Sequence, residues 1–552
     1  MYRSKYKNST LKKSIAGATG LIASSIILVG TAFAQPDIGP QVRVDVGGGT
    51  KAANETSCAS TDLTPDEIVA VWNDWRRSTS SEVINMGVAV SLDGGTTWTD
   101  FLVRPPAQNQ SGVEGDPMTA YDNRTGTLWV GAISFASNGG LYVAKKIPGS
   151  TSFEPSVQVG QRSFADKCWM AAGPAPGNPN ATMVYIAYNE GVWRSADMGK
   201  TWQGPVSIGS GIGFLPRVAP NGDLFVSWWD FGSGHWITRS TNGGVSFSSP
   251  TRIATRMDVW GTQDGSRFPG LFRVPSMNTM AIDPNDGTIY VVYPDTTDTQ
   301  SNGRNVDLYF TVSTNNGTTW STPRVINQDN ATPGDQFFSW LEVDNVGTLH
   351  MVYYDSRNTI QNDNTPNGMF DAYYMYSEDG GATWSEAKLT PNPFNSINDG
   401  LDRGSSQFIG DYLGLGVGEN KVYPCYLSTQ NGDSDIFAHS ITTSGTPGLR
   451  ISDPVPGRIR KTNTITAANG TPGERVAFVY GLQPGTTNVS GCPGLVINIK
   501  NPKIIGTAVA DTNGDASLKF FVPRKIGGIP VQLQAGERAT CRKSNSIVFT
   551  FF

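Results

Sequence analysis

At 552 residues the chain can bury a large core and should hold more than one domain. With 63 Gly, only 16 % charged residues, and 14 Trp, 18 Tyr and 24 Phe, the composition suits an all-β protein full of turns. The formal net charge is −5, and no stretch beyond residue 34 is apolar for long enough to span a bilayer as a helix.

The first 34 residues read as a secretory signal peptide. Arg3, Lys5, Lys7, Lys12 and Lys13 form a basic start, an apolar run begins at Ile15, and Ala32-Phe33-Ala34 offers a cleavage site before Gln35. An uncleaved anchor is the alternative, because the apolar run is long; the small-x-small site favours cleavage. The expected product is exported, secreted or held at the cell surface. Without the leader the chain has 37 basic and 47 acidic residues, a net of −10. Residues 457–552 carry 12 basic and 4 acidic residues, whereas 35–456 carry 25 and 43, so an acidic body precedes a basic tail.

Residues 35–53 are Gly-rich and contain the strand-like run Val42 to Val46. Between 54 and 443 two signals alternate. One is an aromatic and β-branched heptad that usually ends in a polar or acidic residue. Its instances are IVAVWND (68–74), LWVGAIS (128–134), VYIAYNE (184–190), LFVSWWD (224–230), IYVVYPD (289–295), LHMVYYD (349–355) and VYPCYLS (422–428). The other is an octad, Ser-x-Asp/Asn-x-Gly-x-x-Trp/Phe, starting at Ser91, Ser195, Ser240, Ser313 and Ser377. Its Asp or Asn side chain can accept hydrogen bonds from the backbone that follows, its Gly tolerates a left-handed turn, and its aromatic opens the next strand. The unit is strand, turn, aromatic strand, loop, strand, octad hairpin, strand, which is one propeller blade. Gly149 to Phe153 stands where the second unit lacks an octad, and the last unit lacks one too.

The octads resemble the Asp-box (bacterial neuraminidase) repeat of sialidase-like β-propellers. The fold expected is an all-β, seven-bladed propeller over residues 35–445, with six blades as the alternative, followed by a linker at 446–456 and a small Ig-like β-sandwich at 457–552. The run at 42–46 is placed to complete the last blade and close the ring. In that family the octads lie on outer hairpins, so Asp93, Asp197, Asn242, Asn315 and Asp379 are expected to be structural turn residues.

Ligand chemistry is expected instead at one mouth of the central channel, from the loops 73–86, 133–140, 189–192, 229–236, 294–306, 354–371 and 427–434. These are rich in Asp, Asn, Trp and Tyr, which suit glycans; solvated turns are the bland alternative. Leu271 to Ser276 looks like the Phe/Tyr-Arg-Ile-Pro motif of sialidases, which implies that Arg273 grips a sugar carboxylate. In the family this motif precedes the octads, and here it follows three of them. Arg76, Arg217, Arg267, Arg357 and Arg403 are candidates to complete an arginine triad. Asp74, Asp116, Asp166, Glu190, Asp230, Asp295 and Asp355 are candidate cleft carboxylates at strand ends; their recurrence around the ring argues for structure. The partners expected are an extracellular glycan for the propeller and an anionic envelope polymer for the basic tail, with nucleic acid a poor fit because no basic run is interleaved with stacking aromatics. Exo-glycosidase activity of the sialidase type and a non-catalytic interaction platform both remain open.

Five cysteines make no metal motif, and with three His far apart in sequence neither a His/Cys zinc site nor a Ser-His-Asp triad is expected, though sequence distance alone does not exclude them. Cys492 and Cys541 are expected to pair, while Cys58, Cys168 and Cys425 read as buried free thiols. Asp511 to Asp515 faintly resembles a calcium loop but sits where a hairpin turn is needed. No cofactor is expected, with a structural calcium left open.

Overall fold

The structure, a computed structural model, describes residues 36–78, 84–103, 113–134, 139–160, 165–255, 274–296, 306–329, 334–358, 369–401, 407–443, 449–492, 495–544 and 547–552. Residues 36–552 form one compact unit. The leader, Arg267, Arg273 and Arg403 lie outside the described residues. Secondary structure is almost entirely antiparallel strand, with three short 3-10 turns among the described residues. No described helix is long and apolar enough to cross a membrane.

The seven heptads become the second strands of seven successive sheets among the described residues. Their continuous apolar character has a simple cause: both faces of each strand are covered, and all seven residues of Ile68–Asp74, Ile289–Asp295 and Leu349–Asp355 are buried. Six sheets run in sequence as first, second, third and fourth strand, as in Ala53–Ala59, Ile68–Asp74, Asn85–Ser91 and Thr99–Leu102. The first strand of each sheet packs against the first strand of the next, and Gly414–Gly418 of the seventh packs back on Ala53–Ala59. This is a β-propeller circuit, with first strands innermost.

The seventh sheet takes its fourth strand from the other end of the chain. Val42 pairs with Ala438 and Arg43 with Phe437, and Asp37–Ile38 pairs with Ile441–Thr442. The added strand is shorter than the run at 42–46 suggests, because Asp45 turns inward and the backbone enters a 3-10 turn at Val46–Gly48. The Asp45 carboxylate accepts the Ile436 amide and pairs with Arg43, which also pairs with Asp435. Burial, then the charge of Asp435, raises Asp45 to about 7; burial raises Asp435 to about 6.

The five octads fold identically between the third and fourth strands of their sheets. Each opening Ser hydroxyl oxygen accepts the amide of the Gly four residues on, at 2.8–3.0 Å. Each Asp or Asn oxygen accepts the amide four residues on, at 2.8–3.0 Å. Where the acceptor is Asp93, Asp197 or Asp379, the Thr hydroxyl at that position donates to its second oxygen; where it is Asn242 or Asn315, the amide group donates to the hydroxyl instead. The turn needs φ of +74 to +88° at the fifth residue, and Gly fills it every time. The hydrogen bond from Thr201 leads in holding Asp197 down at about 2. In the second sheet Gly149 to Phe153 takes the same place between third and fourth strands, with Lys146 bridged to Phe153.

Beyond residue 449 two antiparallel sheets share one core. Ile465, Ala467 and Ala516 of one meet Val476, Phe478, Leu533 and Ala535 of the other. The strands include Thr462–Ala468, Pro484–Asn488 and Lys503–Val509 beside the more apolar Arg475–Gly481, Val496–Ile499, Ala516–Phe521, Pro530–Glu537 and Ile547–Thr550. The first of these hides its inward positions as Ile465 and Ala467 among Thr and Asn, so its apolar alternation is faint. Asp511 accepts the amides of Asn513 and Asp515 and closes a hairpin turn. Cys492 and Cys541 form a disulfide with Cα atoms 5.3 Å apart, and Cys58, Cys168 and Cys425 are buried free thiols.

Candidate functional site

The innermost strands share a register. In the first, fourth and sixth sheets the pairing skips between Asn54 and Ser57, Ile212 and Leu215, and Phe337 and Trp340, leaving a two-residue bulge. The equivalent bulge position is occupied by Glu55, Asp116, Lys167, Gly213 and Phe338, all with φ of +49 to +69°. In the remaining two sheets it is Met277 and Tyr412, counted from the pairings Thr279–Val292 and Gly414–Cys425. Gly is the residue this backbone favours. A side chain here costs on the order of 1–3 kcal/mol of strain, so three charged residues at the position need a compensating role.

Those three converge. The Lys167 ammonium lies 3.1 Å from Glu55 Oε1 and 3.5 Å from Asp116 Oδ1, and it pairs also with Asp411. Its own amide donates to Asp116 Oδ2 at 2.6 Å, and Asn73 donates to Glu55 Oε2 at 2.7 Å. All four charged side chains are at least nine-tenths buried, and the ammonium sits 5.7 Å from the Tyr412 ring centre. Among the described residues, one ammonium is thus shared by three carboxylates. Removing a partner from such a cluster is far costlier than never having built it.

Because side chains alternate along a strand, positions two and four residues further on face the same way. Two on come Trp169 and Trp340, whose rings lie 5.5 Å apart, with Trp169 also 5.7 Å from Tyr412. Four on come Arg217 and Glu342, which form an ion pair. Tyr121 donates to Glu342 Oε2 at 2.9 Å and Trp340 Nε1 to Oε1 at 3.0 Å, while Arg217 Nε donates to the Met280 carbonyl. Burial pushes the Glu342 carboxyl up, with Arg217 opposing it. Strands of the second, fourth, fifth and sixth sheets thus meet, and the channel is filled in layers: charged, aromatic, then ion-paired.

Of the sequence candidates, Asp116 and Arg217 stand in these layers. Asp74 and Arg76 do not: Arg76 pairs with Asp74 and with Asp100 of the fourth strand, both at 2.7 Å. Asp355 and Arg357 repeat that arrangement in the sixth sheet, with Glu386 in place of Asp100 and Tyr353 donating to Glu386 at 2.8 Å. Burial leads in raising Asp355 to about 6. Each Arg clamps the end of a second strand to a fourth strand. Asp230 closes its own turn through Gly232 and Ser233, Asp295 accepts the Thr296 amide, and Glu190 accepts the Tyr188 hydroxyl. Asp166 precedes Lys167, its amide donating to Asn189. Among the described residues no three of these arginines converge. No group of three or more His, Cys, Asp or Glu among the described residues is arranged to hold a metal ion.

Glu55, Lys167 and Asp411 escape motif reading because they are isolated in sequence. The usable signal is register: counting back from each heptad identifies the inward position of the strand before it, and only three of the seven are charged.

No family model matches the chain, and no curated protein matches it. Among solved structures it is similar to a lectin from Burkholderia pseudomallei, at 13 % identity over 72 % of this chain and 97 % of that one, TM-score 0.44. An α-L-arabinanase from Penicillium chrysogenum, complexed with arabinobiose, aligns at 11 % identity over 73 % and 96 %, TM-score 0.37. A sialidase from Streptococcus pneumoniae aligns at 12 % identity over 72 % and 69 %, TM-score 0.32.

Proposed function

We propose that the chain is an exported glycan-binding protein, a seven-bladed propeller of the Asp-box type joined to an Ig-like β-sandwich. The charged layer at the channel is its functional centre. The observation that carries this is the placing of Glu55, Asp116 and Lys167, on strained backbone, at the one register position where neighbouring strands use Gly, Met, Phe or Tyr. Ring closure does not require charge there. Carboxylates, an amide and an ammonium beside aromatic rings are the residue types that sugar sites use; because all of them are buried in this structure, glycan binding here requires the layer to open. Hydrolysis is the second reading, favoured by the gathering of three carboxylates around one ammonium; a sialidase-type arginine triad would have to draw on Arg267, Arg273 and Arg403. The basic C-terminal module holds the protein to an anionic component of the envelope.

The test is a glycan panel probed with the purified chain, alongside a reducing-sugar release assay. Saturable binding to a glycan class, lost at least tenfold in Asp116→Asn, supports the reading. Release of sugar would move it to the hydrolase form. A chain that binds no glycan on the panel ends it.

A further inference from the structure

The C-terminal module is polarised end to end. Arg460 N donates to Val522 O at 2.7 Å, Ile459 N to Phe552 O at 3.0 Å, and Gly528 N to Phe551 O at 3.0 Å, while Thr462 pairs opposite Phe521. These contacts gather residues 457–462 and 521–529 at one end. Arg458, Arg460, Lys461, Arg524 and Lys525 are all exposed there, and none has a carboxylate partner among the described residues. The two segments contain no Asp or Glu; the nearest acidic side chain along the chain is that of Asp453. The acids of residues 457–552 lie at the other end. Glu474 and Asp511 flank the Ala510 hydrogen bond, Asp515 closes the same turn as Asp511, and Glu537 accepts from Thr471.

Apolar side chains stand exposed among the five cations. Phe521 is 63 % exposed, Val455 68 % and Ile529 39 %, with Val455 bridged to Thr464 beside the Thr462–Phe521 pair. Cations alone would suit any polyanion. Phe521, Val455 and Ile529 gain nothing from a hydrated polymer; they gain from a partner with an apolar phase beneath its charge.

We propose that this end of the module docks on an anionic lipid surface. The five cations meet lipid phosphates while Phe521, Val455 and Ile529 enter the headgroup region. The inference rests on the envelope-binding reading of the module and specifies its ligand.

Residues 36–552 form one compact unit, so the chain from Gln35 onward is the protein to use, free of the apolar leader. It is sedimented with vesicles of phosphatidylcholine, with and without phosphatidylglycerol, and separately passed over heparin. The expected result is capture by the anionic vesicles only. Affinity should fall at least tenfold in Phe521→Ser and in the triple reversal Arg458→Glu/Arg460→Glu/Lys461→Glu, and stay unchanged in Arg475→Glu at the other end. Unfolding midpoints equal to wild type show that these exposed changes leave the fold intact. Heparin binding without vesicle binding, or vesicle binding indifferent to Phe521→Ser, overturns the lipid proposal and keeps the polymer reading. Binding to neither removes both. Equal capture by pure phosphatidylcholine also overturns the proposal.

Discussion

The octad hairpins and the channel layers are built on opposite plans. Each octad is a repeated sequence in a repeated shape, at the exposed outer part of a sheet, with its hydrogen bonds satisfied internally. The channel is a repeated shape filled by unrepeated residues: Glu, Asp, Lys, Gly, Met, Phe and Tyr at one register position. Where sequence and geometry recur together, the residue serves the fold. Where geometry recurs and sequence does not, each residue answers to its own surroundings, and chemistry specific to this protein can be placed there.

The largest expected break comes at the channel. Lys167→Met removes the cation from three buried carboxylates and should cost about 3–5 kcal/mol, read as a lowered denaturant midpoint. A loss below 1 kcal/mol would mean that the cluster is solvated in the folded protein. At the ring closure the effect appears as pH dependence. Asp45 is raised to about 7, against roughly 4 in an unfolded chain. Between those values the unfolded chain gives up a proton that the folded one keeps, so this group's contribution falls as pH rises from about 4 to about 7, by on the order of 2–4 kcal/mol. Asp45→Asn should flatten that part of a stability–pH curve; an unchanged slope would assign it elsewhere.

The Arg clamps are intermediate. Arg357→Ala leaves Asp355 and Glu386 without their shared cation and should cost about 1–3 kcal/mol in thermal unfolding. Arg76→Ala should behave alike, and a difference in sign between the two would break their equivalence. The octads should respond least. Asp93→Ala removes one turn's acceptor, about 1 kcal/mol, and Asp379→Ala should match it within error. Loss of ligand binding in either would place function on the hairpins.

What could be read from sequence follows the same division. The second strands were legible because burial on both faces leaves unbroken apolar heptads, and the octad turns because Asp or Asn and Gly are demanded by hydrogen bonding and positive φ. The contribution of Val42 to the last sheet was legible as an isolated β-branched run before the first repeat. The central cluster was not. Asp116 was named for its strand-end position, but Glu55, Lys167 and Asp411 come from different sheets, separated by 356 residues between Glu55 and Asp411, and only the closed circuit brings them together. Asp74, Arg76, Asp355 and Arg357 look like cleft residues in sequence because a strand-end Asp followed two residues later by Arg is also what a clamp between second and fourth strands needs.

The most direct measurement is the glycan affinity of Asp116→Asn set beside that of Asp93→Ala, each corrected for its folded fraction. The two changes touch single carboxylates, one at the channel and one on a hairpin. At least a tenfold weaker affinity is expected for Asp116→Asn, and wild-type affinity for Asp93→Ala. Wild-type affinity in Asp116→Asn, or an equal loss in both, would contradict that expectation.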